Sequence, residues 1–225
     1  GEGNMGMVAL GNGTAGTAIA GNTGTINLAG DKNVGMHAEK GGIINNGSEI
    51  KGTGTTLIGM QVYDSNSEGT NSGNITLNGA GSTGVYNKDG GKFTMTDGSI
   101  KTSGGNTTGV FSNSGTSTTI EKGKIEATGG AVLYAQNNGT KINLGKSGGA
   151  PTDVTLTAGE GAILFHHDDD DDKDGTIKGE FQLNNTITAE VKDGGTAFSF
   201  KEVYSATDLS KAIQNIFGGG STFTN

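Results

Sequence analysis

The chain has 225 residues and a net charge of −8, and it contains 44 glycines, one proline and no cysteine. The lack of cysteine excludes a disulfide framework, and the absence of a Gly-X-Y period excludes a collagen helix. All fifteen basic residues are lysine, so neither the net charge nor the side-chain chemistry favours nucleic-acid binding.

Apolar residues make up 31% of the chain and fall in short alternating runs rich in Val, Ile, Thr and Phe. Turn-forming Gly, Asn, Asp and Ser separate these runs, which is typical of many short strands joined by tight turns. No run of about 18 apolar residues is present, so no segment is predicted to cross a membrane as a helix.

The runs form a repeat of about 25 residues that starts near the beginning of the chain. Its clearest column contains Ile26, Ile50, Ile75, Ile100, Ile125, Val154 and Ile187. A second column contains Met36, Met60, Val85, Val110, Leu133 and Leu164, and a third, fainter one includes Ile44, Met95, Ile120 and Leu144. Glycine recurs just before the isoleucine at Gly24, Gly47, Gly73, Gly98 and Gly123.

Three strand-turn pieces in one unit cannot bury a face alone, whereas stacked units can. The repeat therefore predicts a right-handed parallel β-helix of seven to eight three-strand coils over residues 1–204. In this fold each strand pairs with its equivalent one coil away, at a spacing of ~4.8 Å.

Two aspartates, Asp64 and Asp89, occupy equivalent positions in neighbouring coils. Paired carboxylates are what a glycosidase requires, but Asp is also an ordinary turn former. We favour the turn interpretation, and we expect no enzymatic activity.

An aromatic column lies one residue after the second aliphatic column. Its aromatic members are Tyr86, Phe111, Tyr134 and Phe165, preceded in earlier units by His37 and Gln61. Neighbouring residues of a strand point to opposite faces, so these rings form an outward strip if the aliphatic column points inward. Such a strip would suit sugar rings or an apolar patch of a partner. The alternatives are that the rings fill the core, or that a C-terminal helix covers them.

Two insertions, at 145–153 and 166–175, lengthen the later units. The second contains FHHDDDDDKDG, in which His166, His167, Asp168, Asp170 and Asp172 are candidate ligands for Zn²⁺ or Ca²⁺. A block of like charge is more typical of a solvated loop. We therefore favour a loop without a cofactor.

The C-terminal segment 205–225 has a different pattern. Leu209, Ala212, Ile213, Ile216 and Phe217 lie on one face of a helix. Ser205 or Thr207 can cap the start of this helix, predicted over about 207–217, and Gly218 to Gly220 can end it. We expect the helix to lie against the rod.

The units NVGMHAEKGGIINNGSEI (33–50) and STGVYNKDGGKFTMTDGSI (82–100) resemble the passenger repeats of bacterial type V autotransporters. The Asn- and Thr-rich style without arginine is similar to the large fusobacterial outer-membrane autotransporter adhesins. This resemblance covers roughly residues 1–200.

The resemblance implies export through the outer membrane and display on the bacterial cell surface. It also implies adhesion to a glycan or receptor on host or other bacterial cells, and an outer-membrane translocator elsewhere in the parent chain. We interpret the chain as a segment of such a protein, because it opens inside the repeat without a signal peptide. The alternatives are a β-helix glycosidase or polysaccharide lyase and the passenger of a secreted toxin.

Overall fold

A computed structural model describes residues 2–151, 153–168, 178–201, 205–217 and 222–224. Its described strands form three parallel sheets. Sheet A contains β1 (Met5–Leu10), β4 (Val34–Glu39), β7 (Ile58–Tyr63), β10 (Thr83–Lys88), β13 (Thr108–Asn113), β16 (Ala131–Gln136), β19 (Ile163–Asp168) and β22 (Thr196–Phe200). Sheet B contains β2 (Ala18–Asn22), β5 (Gly42–Asn46), β8 (Glu68–Asn71), β11 (Lys92–Met95), β14 (Ser117–Ile120), β17 (Lys141–Leu144) and β20 (Glu180–Leu183). Sheet C contains β3 (Thr25–Leu28), β6 (Glu49–Gly52), β9 (Asn74–Leu77), β12 (Ser99–Thr102), β15 (Gly123–Ala127), β18 (Val154–Ala158), β21 (Thr188–Val191) and β23 (Thr222–Thr224).

The chain visits the three sheets in turn, and each strand hydrogen-bonds to its equivalent one coil away. Strand β10, for example, pairs in parallel with β7 on one side and β13 on the other. This arrangement confirms the predicted parallel β-helix. Among the described residues, one helix, α1 (Ala206–Phe217), interrupts the strands near the C-terminus.

The isoleucines of the repeat form one interior row along sheet C, as predicted. Its members in register are Ile26, Ile50, Ile75, Ile100 and Ile125. Ile100 is fully buried, in contact with the rest of the core. One apolar side chain per coil is therefore enough to fill this part of the narrow interior.

The prediction for the end of this row was wrong. Leu156 is the partner of Ile125, and Ala189 follows it. The spacing of the repeat predicts Val154 and Ile187 at these two places instead. A shift of two residues along a strand keeps a side chain on the same face, and all four side chains are buried. The apolar pattern of the sequence therefore could not show which of them continue the row from Ile125.

The third predicted column combines two interior rows. Ile44 aligns with Gly69 and then Phe93, whereas Met95 begins an apolar row two residues further along the strands. That row continues through Ile120, Leu144 and Leu183. In the earlier coils of the second row, buried asparagines take the place of the apolar residues.

These asparagines form a hydrogen-bonded ladder inside the first coils. The Asn22 amide donates to Asn46 Oδ1 at 2.8 Å, and the Asn46 amide donates to Asn71 Oδ1 at 2.7 Å. The Asn71 amide ends the ladder on the Gly73 carbonyl at 3.0 Å. Because the amides satisfy one another, these buried polar groups carry little desolvation penalty.

Helix α1 replaces a strand in the last described coil. In the preceding coils the chain passes from sheet A to sheet B and then to sheet C, but between β22 and β23 it forms α1. The helix packs against β20, the last strand of sheet B. It starts as predicted, since the Asp208 amide donates to Ser205 Oγ at 3.2 Å. The helix therefore covers the edge of sheet B, which would otherwise expose unpaired backbone groups.

Within the described ranges, no helix is long and apolar enough to cross a membrane.

Candidate binding face on sheet A

Four rings form a continuous column on the outer face of sheet A, here called the aromatic ladder. Its members are Tyr86, Phe111, Tyr134 and His166, in register on β10, β13, β16 and β19. Val85 is fully buried, so side-chain alternation turns the next residue, Tyr86, toward solvent. All four rings are half-buried. Of the three arrangements left open by the sequence, the outward strip is the one found for Tyr86, Phe111 and Tyr134.

Phe165 does not belong to this ladder, contrary to prediction. It pairs with Leu133 and is fully buried. Its ring centroid lies 5.2 Å from that of Phe181 and 5.3 Å from that of Phe198. The glycine that precedes the inward residue in the coils up to Val110 is replaced by Val132 before Leu133 and by Leu164 before Phe165. Leu164, the predicted member of the inward column, therefore lies one residue before the true member, Phe165. His166 takes the outward place in the ladder.

The rings of the ladder touch one another from coil to coil. The Tyr86 and Phe111 centroids are 5.1 Å apart with an interplanar angle of 29°. Tyr134 stands edge-on to Phe111 at 4.8 Å and to His166 at 4.4 Å. Such contacts add about 0.5–1.5 kcal/mol each beyond area burial. The ladder is thus part of the scaffold as well as an accessible surface.

A second outward column runs two residues further along the same strands. Lys88 Nζ lies 5.7 Å from the centre of the Tyr63 ring, a cation–π arrangement. A hydrogen bond to Asp89 raises the pKa of Tyr63. Tyr63 was not among the predicted binding residues, although its place two residues after Gln61 puts it on the same face. Tyr63 extends the aromatic surface one coil beyond Tyr86.

A buried carboxylate anchors the other end of the ladder. Asp168 is fully buried, and its Oδ2 accepts hydrogen bonds from the Tyr134 hydroxyl, from the Gln136 amide at 3.1 Å and from Lys201 Nζ at 2.9 Å. Burial alone would raise the pKa of Asp168, but the hydrogen bonds from Tyr134 and Lys201 outweigh it and hold that pKa below its usual value. Tyr134 is therefore fixed at both its ring and its hydroxyl.

The proposed metal ligands do not converge among the described residues. His166 points outward with the ladder, whereas His167 is buried in the interior beside Phe181 and Phe200. Asp168 closes strand β19 and is not part of a solvated loop, so the insertion begins later than the predicted residue 166. Asp170 and Asp172 lie outside the described residues. Across 2–151, 153–168, 178–201, 205–217 and 222–224, no three His, Asp or Glu side chains are grouped to hold a metal ion.

Asp64 and Asp89 lie in turns, with backbone φ of 77° and 53°. The Asp64 carboxylate accepts hydrogen bonds from the Asn66 amide at 3.1 Å and the Ser67 hydroxyl at 2.9 Å. The Lys40 amide donates to its second oxygen. These contacts agree with the predicted role of Asp as a turn former.

The insertion 145–153 is fastened to the following coil by one side chain. The Asn185 amide donates to the carbonyls of Lys146, Gly149 and Ala150, at 3.3, 2.7 and 3.4 Å. The described part of this insertion is therefore held against the rod at its base, away from the aromatic ladder on sheet A.

His167 makes the chain sensitive to acid. Its Nδ1 donates to the Gly179 carbonyl at 3.0 Å, and Nε2 is buried with no hydrogen-bond partner. Burial lowers the pKa of His167 from 6.5 to about 4. The unfolded chain therefore takes up a proton at a higher pH than the folded chain does, and stability falls as the pH drops from about 6.5 toward 4.

We expect the free energy of unfolding to decrease by up to roughly 3 kcal/mol between pH 7 and pH 4, at ~1.4 kcal/mol per unit of pKa difference. Chemical denaturation at a series of pH values measures this slope. The variant His167→Leu should flatten it and leave smaller contributions from His166, whose pKa burial also lowers, and, toward pH 4, from Asp168. A wild-type free energy that stays constant from pH 7 to pH 4.5 would contradict this account.

Comparison of the chain with protein-family models, with curated proteins and with solved structures gave no significant match.

Proposed function

We propose that this chain is a segment of a surface-displayed bacterial adhesin, a rigid rod that holds a binding face toward other cells. The resemblance of its repeats to autotransporter passengers supports export and display. The observation that carries the proposal is the aromatic ladder, because outward rings on consecutive coils are not needed to fill the interior.

The fold suits such a role mechanically. Each coil is hydrogen-bonded to the next along three sheets, so side chains on sheet A keep their spacing without reorganising when a ligand arrives. Half-buried rings also lose little rotamer freedom on binding, which lowers the entropic cost of the contact. Several modest contacts on one rod, repeated over a cell surface, give adhesion through avidity.

Attachment to cells tests the proposal directly. Beads coated with the chain should attach to cultured epithelial cells or to other bacterial cells, and the double variant Tyr86→Ser/Phe111→Ser should attach at least about tenfold less, given ~1 kcal/mol per ring. Tyr134 is left unchanged because its hydroxyl binds the buried Asp168.

A double variant on the outer face of sheet C, Thr76→Ser/Lys124→Ser, serves as the matched control and should attach like the wild type. Circular dichroism and thermal melting confirm that both variants are folded. Equal attachment by wild type and the ladder variant, or no attachment by either, would reject the proposal.

A further inference from the structure

We propose that the aromatic ladder binds an extended, neutral glycan chain that lies parallel to the axis of the β-helix. The class of ligand is a β-1,4-linked polymer of glucose or N-acetylglucosamine. This inference rests on the adhesive function proposed for the same face.

Spacing is the first argument. Ring centroids follow one another at 5.1, 4.8 and 4.4 Å, because the coils stack at the ~4.8 Å distance between hydrogen-bonded strands. One pyranose unit of an extended β-1,4 chain has nearly the same length. One sugar unit therefore falls beside each ring, and this one-to-one spacing persists along the ladder even though the linkage turns alternate units over and the rings differ in tilt. A helical or branched glycan has no such registry with the coils.

The shape of the face is the second argument. The apolar strip is about one ring wide and has the half-buried residues Thr83 and Thr108 on one side and Lys88 on the other. A stable protein interface needs ~800 Å² on each partner, with an apolar core wider than this strip. A glycan chain has apolar C–H faces and hydroxyl groups along both edges. The strip matches that pattern of polarity.

Charge decides between neutral and anionic glycans. The chain carries a net charge of −8, and seven residues, 168–174, contain six of its aspartates. Lys88 is close to Asp89, at 3.9 Å, and Lys201 is paired with Asp168. Because each of these lysines lies beside a carboxylate and the net charge is negative, sulfated or uronate-rich chains are disfavoured. A neutral chain meets no such barrier.

The test is calorimetric titration of the intact chain with cellohexaose and chitohexaose, with maltohexaose as the matched control. Maltohexaose has the same glucose units as cellohexaose, but its linkage curves the chain. We expect at least one of the extended hexasaccharides to bind at least tenfold more tightly than maltohexaose. Affinity should rise with the number of sugar units and level off at about four, one for each ring, and Tyr86→Ser/Phe111→Ser should lose at least tenfold.

Equal affinity for maltohexaose, tighter binding of heparan sulfate in a parallel titration, or no binding to either extended glycan would overturn the inference. The cell assay separates this failure from failure of the adhesive function. If beads attach to cells but protease treatment of the cells abolishes attachment and neither cellohexaose nor chitohexaose competes, the ligand is a protein and only this inference is lost. If the beads do not attach to any cell, the adhesive function itself is rejected.

Discussion

Replacing Ile100 by aspartate should prevent the chain from folding. The side chain of Ile100 is fully buried between Ile75 and Ile125 in the interior row of sheet C. An ionised carboxylate there has no partner and no water, and the penalty after relaxation is still several kcal/mol, which is comparable to the whole stability of a typical domain. Loss of the β-sheet circular dichroism signal, or a large fall in the melting temperature, is the expected result.

The matched control places the same charge one residue earlier on the same strand. Ser99 faces outward and lies opposite Lys124 on the next coil, so Ser99→Asp should leave the melting temperature within a few degrees of wild type. Ile100→Asp with wild-type stability would show that the interior row has been assigned to the wrong face.

The second large effect is expected at Gly59, where two coils approach closely. A Cβ at this position would lie 2.5 Å from the Gly84 carbonyl oxygen and 2.6 Å from Ile75 Cγ2. One of these atoms belongs to the backbone of the next coil and the other to the packed core, so neither can move without disturbing its neighbours. Gly59→Ala should therefore cost about 3 kcal/mol, near the upper end for overpacking.

Gly24→Ala is the control, because a Cβ at Gly24 has no atom within 4 Å. Both variants add one methyl group to a glycine whose φ is not positive, so a difference in their denaturation midpoints reports the close approach at Gly59. Equal midpoints for the two variants would mean that the coils are not in contact at Gly59.

The repeat was visible in the sequence because the interior admits few side chains. Ile50, Ile75 and Ile100 recur every 25 residues since each fills the same space in its coil, whereas outward positions vary freely. This constraint predicted the three-strand coil and the parallel pairing. It could not give the register in the later coils, where Leu156 and Phe165 replace the expected residues after insertions of unequal length.

Polar residues inside the rod were harder to recognise. Asparagine is usually a turn former, so the residue type of Asn22, Asn46 and Asn71 did not indicate burial. A buried asparagine is stable only when neighbouring groups satisfy its amide. That partnership exists between coils about 25 residues apart and leaves no local signal. The position of α1 in the place of a strand is likewise a non-local property, although the helix itself and its Ser205 cap were predictable from local periodicity.

The candidate site was half predicted. Alternation placed Tyr86, Phe111 and Tyr134 on one face, but which face was outward depended on the filling of the interior. Tyr63 was missed since it belongs to the adjacent column. The link between Tyr134 and the buried Asp168 was missed because it joins a strand to the start of a charged run that looked fully solvated.

Hydroxyl-radical footprinting of the chain attached to cells tests the central claim most directly, since aromatic side chains are among the most reactive groups. Comparison of oxidation in the attached and free chain, by mass spectrometry of peptides, locates the contact surface. We predict that Tyr86 and Phe111 are protected on attachment, while outward residues of sheet C such as Lys124 keep the same labelling. Protection confined to sheet C or to the insertion at 145–153, with Tyr86 and Phe111 oxidised as in the free chain, would contradict the account.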